Sequence, residues 1–186
     1  LDPSQWKITG TSRSDAGVRA IVARGYEGVR FDALAGIAES VTHVVSSVPP
    51  NDLGDPVLRR FGSALAAQSK QFRWVAYLST TGVYGDHEGG WVDEDTPFQP
   101  ASERGHRRVA AETAWRNIEG LPLHVFRLAG IYGPGRNQLL SLQAGKAQRV
   151  IKPGQVFSRI HVADIAGILL ASMAKPEPGR AYNGAD

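Results

Sequence analysis

Trp74-Val75-Ala76-Tyr77-Leu78-Ser79-Thr80-Thr81-Gly82-Val83-Tyr84-Gly85 is the stretch whose reading decides the fold. An apolar run rich in strand-forming residues passes without a break into three hydroxyl residues and a glycine. This is the pattern of a parallel strand buried on both faces, delivering side chains to its open carboxyl end. In α/β sheets that end is where ligands and reacting groups gather.

Outward from this strand, strand and helix patterns alternate. Upstream, Trp6–Gly10 reads as a strand ending in Thr11-Ser12-Arg13-Ser14-Asp15, and a helix follows over 16–23 with Ser12 or Ser14 as N-cap. A weak strand over 25–31 leads to Asp32. A clearer one over 41–45 ends in Ser46 and Ser47 and is broken by Pro49 and Pro50. Residues 52–71 place Val57, Leu58, Phe61, Leu65 and Ala66 at helical spacing. Downstream, an acidic, glycine-rich loop over 86–100 is of the kind that covers a substrate. Ser102 then caps a helix running toward Ile118, with Val109, Ala110, Thr113 and Ala114 predicted to face inward. A strand over 121–128, a helix over 139–147, short strands over 149–151 and 155–157, a helix over 161–173 and a strand over 180–183 complete the pattern. No internal repeat or low-complexity tract interrupts it.

With 186 residues, 42% of them hydrophobic, the chain suffices for one real core and reads as one domain. The net charge of +3 is spread among interleaved acids, so no stripe for nucleic acid stands out. The absence of cysteine excludes disulfides and thiol chemistry and fits a reducing compartment. Its five histidines lack the spacing of a zinc helix, and no metal site is expected. No apolar run approaches the roughly 18–20 residues that span a bilayer, and the first residues do not read as a secretory leader. A cytoplasmic protein without membrane contact is the expectation.

Three segments in order carry a family resemblance: Leu78-Ser79-Thr80-Thr81-Gly82-Val83-Tyr84-Gly85, Arg127-Leu128-Ala129-Gly130-Ile131-Tyr132-Gly133-Pro134-Gly135, and Ile160-His161-Val162-Ala163-Asp164-Ile165-Ala166. Together they resemble the extended short-chain dehydrogenase/reductase family, the NAD(P)-dependent sugar-nucleotide epimerases and dehydratases. The resemblance implies an α/β fold: a Rossmann-like, doubly wound parallel sheet with flanking helices, truncated at both ends. In the family the strand over 6–10 is preceded by another whose turn carries G-x-G-x-x-G. That turn is missing here, so residues 1–186 are expected to form an NAD(P)-binding domain lacking its first strand, a middle piece of a longer protein. Its substrate-binding part would begin within 134–160. The resemblance also allows a homodimer formed through two long helices.

Site residues follow from the same comparison. Thr80, four residues before Tyr84, takes the place of the hydroxyl that hydrogen-bonds the reacting oxygen. Such a group both donates and accepts, as an oxygen changing its charge requires; the alternative is a strand-end hydroxyl satisfying backbone. The family's Tyr and Lys, four apart on the next helix, are replaced by Arg104 and Arg108 when the helix is aligned on Glu112. Arg108 could still hold ribose hydroxyls, but Arg104 cannot release a proton near neutrality. Tyr84 is the candidate replacement acid. His106 points to another face of the helix. The other reading of Arg104, Arg107 and Arg108 is a solvated basic face.

For the cofactor, Ser12 and Arg13 stand where an acid would select NAD, and a cation there pairs with the 2′-phosphate of NADP. The expectation is therefore NADP, with NAD admissible; the alternative for Arg13 is a solvated turn. Asp32 stands where the family holds the adenine edge, or caps its loop. Ser46, Ser47 and Ser79 complete the cofactor set. Two departures narrow the reaction. Thr81 and Gly82 replace the Asp-Glu pair of the sugar dehydratases, and Phe157 replaces the Arg that clamps a nucleotide diphosphate, with Arg159 displaced nearby. The pattern resembles the atypical members of the family, for which two readings stay open. One is an oxidoreductase or epimerase-like enzyme acting on a small polar or sugar-like substrate. The other is a catalytically silent NADP-binding sensor or scaffold.

Overall fold

A computed structural model describes residues 5–147, 151, 154 and 156–186, and the chain divides into two compact units, 1–38 and 39–186. The first unit holds β1 (Thr9–Ser12), α1 (Asp15–Val22) and β2 (Glu27–Arg30). The two strands pair in parallel, Thr9 with Glu27 through Ser12 with Arg30. Ser14 caps α1 by accepting from the Gly17 N–H, which settles the choice between Ser12 and Ser14. The strand expected over 6–10 lies later in the sequence, because Ser12 still pairs with the second strand.

The second unit carries β3 (His43–Ser46), α2 (Pro56–Ala67), β4 (Trp74–Thr80), α3 (Glu103–Arg116), β5 (Leu123–Leu128), β6 (Gly130–Tyr132), α4 (Gln138–Gln143), β7 (Arg159–His161), α5 (Val162–Ala174) and β8 (Ala181–Gly184). Four strands form one parallel sheet in the order β3-β4-β5-β8, and β6 and β7 pair in parallel apart from it. The short strands expected over 149–151 and 155–157 fall largely outside the described residues.

Parallel strands cannot be joined by hairpins, so helices must cross over and cover the sheet. Register fixes which residues share a face. Tyr77 stands beside Ser46 and Val125, and Ser79 beside Arg127, which in turn neighbours Asn183. On this face the α3 residue Trp115 stacks on Tyr77 at 5.7 Å and donates its indole N–H to Asp55, the N-cap of α2. The opposite face belongs to α5. Trp74, Ala76, Phe126 and Leu128 pack there with Ile165, Ile168, Leu169 and Met173, and the Trp74 indole N–H donates to Ser172 at 3.0 Å. Trp74, Val75, Ala76 and Tyr77 are wholly buried, as the opening stretch of sequence requires. Helices on both faces of a parallel sheet make the fold doubly wound and Rossmann-like.

The inward face of α3 differs from expectation. Gly105, Arg108, Ala111, Glu112 and Trp115 are buried, whereas Ala110, Thr113 and Ala114 are exposed and Val109 is half-buried. Apolar periodicity misplaces this helix because two charged residues occupy its core side, each with partners waiting on the sheet.

Candidate functional site

The row Ser79, Arg127 and Asn183 runs across three adjacent strands at their carboxyl ends, on the face that α3 covers. Glu112, one turn after Arg108 on α3, descends onto it. The Ser79 hydroxyl donates to Glu112 Oε1 at 2.5 Å, and Arg127 donates from Nη2 at 3.2 Å and from Nε at 3.3 Å to Oε2. Glu112 and Arg127 are 0% and 3% exposed, a buried ion pair in which every guanidinium nitrogen makes at least one hydrogen bond. Arg127 Nη1 donates to the Tyr84 hydroxyl at 2.6 Å and to the Glu94 carbonyl at 3.0 Å, and the Tyr84 hydroxyl donates to Asn183 Oδ1 at 2.7 Å. Burial works against the charge on Arg127, but Tyr84 and Glu112 outweigh it and hold the guanidinium pKa above its ordinary value.

The same cluster fastens the long loop. The Asn183 N–H donates to Glu94 Oε1 at 2.6 Å, and Phe98 lies with its ring centre 4.6 Å from the Arg127 guanidinium. Gly85, at φ +83°, leaves a notch for the Gln99 carbonyl that a Cβ would fill. Residues 94–99 are thereby strapped over the strand ends, while Trp91 earlier in the loop is fully exposed.

Arg108 is buried against the same strand. Its Nη1 donates to the Leu78 carbonyl at 2.7 Å and to the Tyr77 hydroxyl at 3.2 Å, leaving Nε and Nη2 without a hydrogen bond among the described residues. Burial pushes the Tyr77 phenol up to about 12, against the opposing pull of Arg108, so it stays protonated near neutrality. Ser46 lies on this face too, 2% exposed, with an Oγ that finds no hydrogen-bond partner among the described residues. Ser47, the next residue, is exposed.

Thr80 ends the strand one residue beyond Ser79 and so stands on the other side of the pleat. It is half-buried, and its Oγ1 accepts from the Gly82 N–H at 3.2 Å, capping the turn over Thr81–Val83. Its own O–H has no acceptor among the described residues and is left to donate. The structure thus gathers Ser46, Ser79 and Arg108 on the α3 face and sets Thr80 at the strand tip beside them.

Three expectations meet competing contacts or a different exposure. Tyr84, 1% exposed, both accepts from Arg127 and donates to Asn183, so it braces the strand ends and does not present an acid to a substrate. The Ser79 hydroxyl gives its hydrogen to Glu112, which leaves only its acceptor lone pairs for a cofactor. Arg104 is exposed on α3, and the basic solvated face proposed for Arg104, Arg107 and Arg108 holds for Arg104 but fails for buried Arg108. Arg107 spans the two, paired on the surface with Asp52 and Glu103.

In the first unit, the Ser12 Oγ accepts from the Ser14 N–H at 3.3 Å, and Arg13 is exposed with no carboxylate partner among the described residues. Asp32 is gripped by the Arg30 fork, with Nη2 to Oδ2 at 2.7 Å, which holds its carboxyl below the usual range. Sequence reasoning passed over Glu94, Phe98, Glu112, Arg127 and Asn183 as site-building residues. Only Glu112 and Arg127 gave a signal, one turn beyond Arg108 and at the head of the second matched segment.

Among the described residues no group of acids and histidines could hold a metal ion, and no helix is long and apolar enough to cross a membrane. A parallel sheet wound on both faces, with hydroxyls and a buried cation at its carboxyl ends, defines the Rossmann-like class. Within it, the chain belongs to the NAD dependent epimerase/dehydratase family, which residues 30–185 match. It is 27% identical to Protein YeeZ of Escherichia coli K12, across 98% of this chain and 70% of that protein. A conserved protein of unknown function from Silicibacter pomeroyi has a solved structure with a TM-score of 0.94 and 54% identity, covering 99% of this chain and 65% of that one. The chain thus spans about two thirds of the length of these relatives. A UDP-glucuronic acid 4-epimerase from Bacillus cereus, solved with a UDP-sugar analogue and NAD, shares the fold at TM-score 0.77 and 17% identity, over 98% of this chain and 70% of that one.

Proposed function

We propose that residues 1–186 are the dinucleotide-binding part of an NAD(P)-dependent oxidoreductase or epimerase-like enzyme that prefers NADP and acts on a small polar or sugar-like substrate. The observation that carries this reading is the Ser46 hydroxyl, buried at the carboxyl end of β3 without a partner among the described residues. A buried polar atom in that state calls for a ligand with hydrogen-bonding edges. The free Nε and Nη2 of Arg108, one strand away, suit ribose hydroxyls. Family membership and the NAD bound to the Bacillus cereus relative support a nicotinamide dinucleotide, and Arg13, exposed with no carboxylate partner among the described residues, supports NADP.

Bound there, the nicotinamide would exchange a hydride with the substrate. Thr80 donates its hydroxyl hydrogen to the reacting oxygen while the Gly82 N–H fixes its rotamer. Arg108 adds positive charge beneath the strand end and orients the ribose. The Glu112–Arg127 pair holds the strand ends in register, and residues 94–99 restrict water. With the Tyr84 hydroxyl donating to Asn183 and Arg104 unable to release a proton near neutrality, a water supplies the proton in this reading. Dehydration of a nucleotide sugar is disfavoured by Thr81, Gly82 and Phe157 at the places of the groups it needs.

The second reading, a silent NADP-binding sensor, is favoured by that same lack of a side-chain acid. Titration of the full-length protein with NADPH and NADH, followed by absorbance at the nicotinamide band with a panel of carbonyl substrates, separates the two. Turnover abolished by Thr80→Ala supports the enzyme; binding without turnover supports the sensor. Absence of binding to either nucleotide overturns both.

A further inference from the structure

Beyond the sheet, the strand pair β6–β7 holds a cation, Arg159, that forms no ion pair among the described residues. Arg159 stands opposite Gly130 in the register, and its guanidinium lies over that glycine, where a Cβ would collide with Nη1. Phe157 stacks against it with the ring centre 5.4 Å from Cζ. Among the described residues no carboxylate pairs with Arg159. Backed by a glycine and flanked by a ring, the guanidinium keeps its forked edge for a bidentate acceptor.

That edge borders an open cavity of about 380 Å³ lined by Tyr132, Asn137, Gln138, Phe157, Arg159 and Asp186. The volume lies at the small end of ligand sites, roughly 300–1,000 Å³. Asp186 is the cavity's one acid among the described residues. It is tied to Tyr132, whose hydroxyl donates to Oδ2 at 2.6 Å, and its backbone N–H donates to the Arg159 carbonyl at 2.9 Å. Asp186 is therefore held beside Arg159, its Oδ2 taken by Tyr132, with no ion pair between the two side chains among the described residues. Asn137 uses its Oδ1 to accept from the Leu140 N–H, which leaves its amide to donate.

The site also lies near the strand tip. Leu128 is the register partner of Thr80, and Gly130 follows two residues later. We propose that this cavity binds a small hydroxylated oxyanion, its phosphate or carboxylate on Arg159 and a hydroxyl on Asp186. As the substrate of the reaction proposed above, a role that rests on that reading, the ligand would reach Thr80 with its carbonyl.

The test is calorimetric titration of the full-length protein with inorganic phosphate and, separately, with acetate, at constant ionic strength. Wild type is expected to bind at least one in the roughly millimolar range. Arg159→Gln is expected to weaken it about tenfold or more, and Arg159→Lys by less, since charge survives but the fork does not. Phosphate alone binding assigns a phosphoryl group, and acetate alone a carboxylate. Wild type binding neither anion, or Arg159→Gln binding both as wild type does, overturns the proposal. NADPH affinity of Arg159→Gln should equal that of wild type. If wild type fails to bind NADPH while the anion still depends on Arg159, the proposed function falls and the oxyanion site stands.

Discussion

Replacing Glu112 by Gln isolates the electrostatic half of the cluster, because shape and one hydrogen-bonding oxygen survive while the charge goes. Arg127, 3% exposed, would then be a buried cation without a counter-ion. Removing one partner of a buried pair costs about 3–5 kcal/mol. For a domain of roughly 150–250 residues each kcal/mol lowers the midpoint by about 2–4 °C, so a fall of about 6–20 °C is expected. Urea unfolding followed by circular dichroism should show a lower midpoint with an unchanged slope. Glu103→Gln, which breaks a surface pair between Arg107 and an 80% exposed carboxylate, is the control and should cost less than about 1 kcal/mol. A double-mutant cycle with Arg127→Met should show coupling of at least about 1 kcal/mol. A Glu112→Gln loss below 1 kcal/mol, or strict additivity in the cycle, would refute the picture of a charge pair holding the strand ends.

Further outcomes are open to measurement. Arg13→Asp should weaken NADPH more than NADH in fluorescence titrations, and equal changes would remove Arg13 from cofactor selection. Gly85→Ala forces a side chain into a φ of +83° and against the Gln99 carbonyl, and should lose about 1–3 kcal/mol or more in the same unfolding assay; an unchanged midpoint would show the strap is not seated in that notch. Stability should also fall with acidity. Burial lowers the pKa of His43 and of His124, whose Nε2 accepts from the Glu177 N–H at 2.9 Å. The unfolded chain therefore takes up these protons first, and stability that is full above about pH 6.5 declines below it. Unfolding free energies that stay flat between about pH 7.5 and 5.5 would contradict this.

The sheet was legible because β4 and β5 are apolar runs of the right length, and because Ser102 announces its helix, whereas the Asp55-Pro56 start of α2 went unread within 52–71. Boundaries slipped where pairing rather than pattern sets them, as at β1. The face of α3 was misread for a deeper reason. Its buried side is chosen by Arg108 and Glu112, whose partners Tyr77, Ser79 and Arg127 are distant in sequence, and periodicity scores charge as surface. Thr80 was visible as a strand-end hydroxyl, whereas the commitment of Tyr84 to Asn183 could not be seen, since 99 positions separate them. Glu94 was invisible among the other acids of its loop, because what distinguishes it is its place over Asn183.

That separation also bears on how the protein acquires its shape. β8 follows the other three strands of its sheet in the sequence, yet its Asn183 completes hydrogen bonds to residues 99 and 89 positions earlier. Contacts of such range are slow to form, and domains mature as their chains are released. Until β8 docks, the Tyr84 hydroxyl and the Glu94 carboxylate lack their Asn183 partner, so this end of the sheet sets late and is exposed early to a chaperone or a protease.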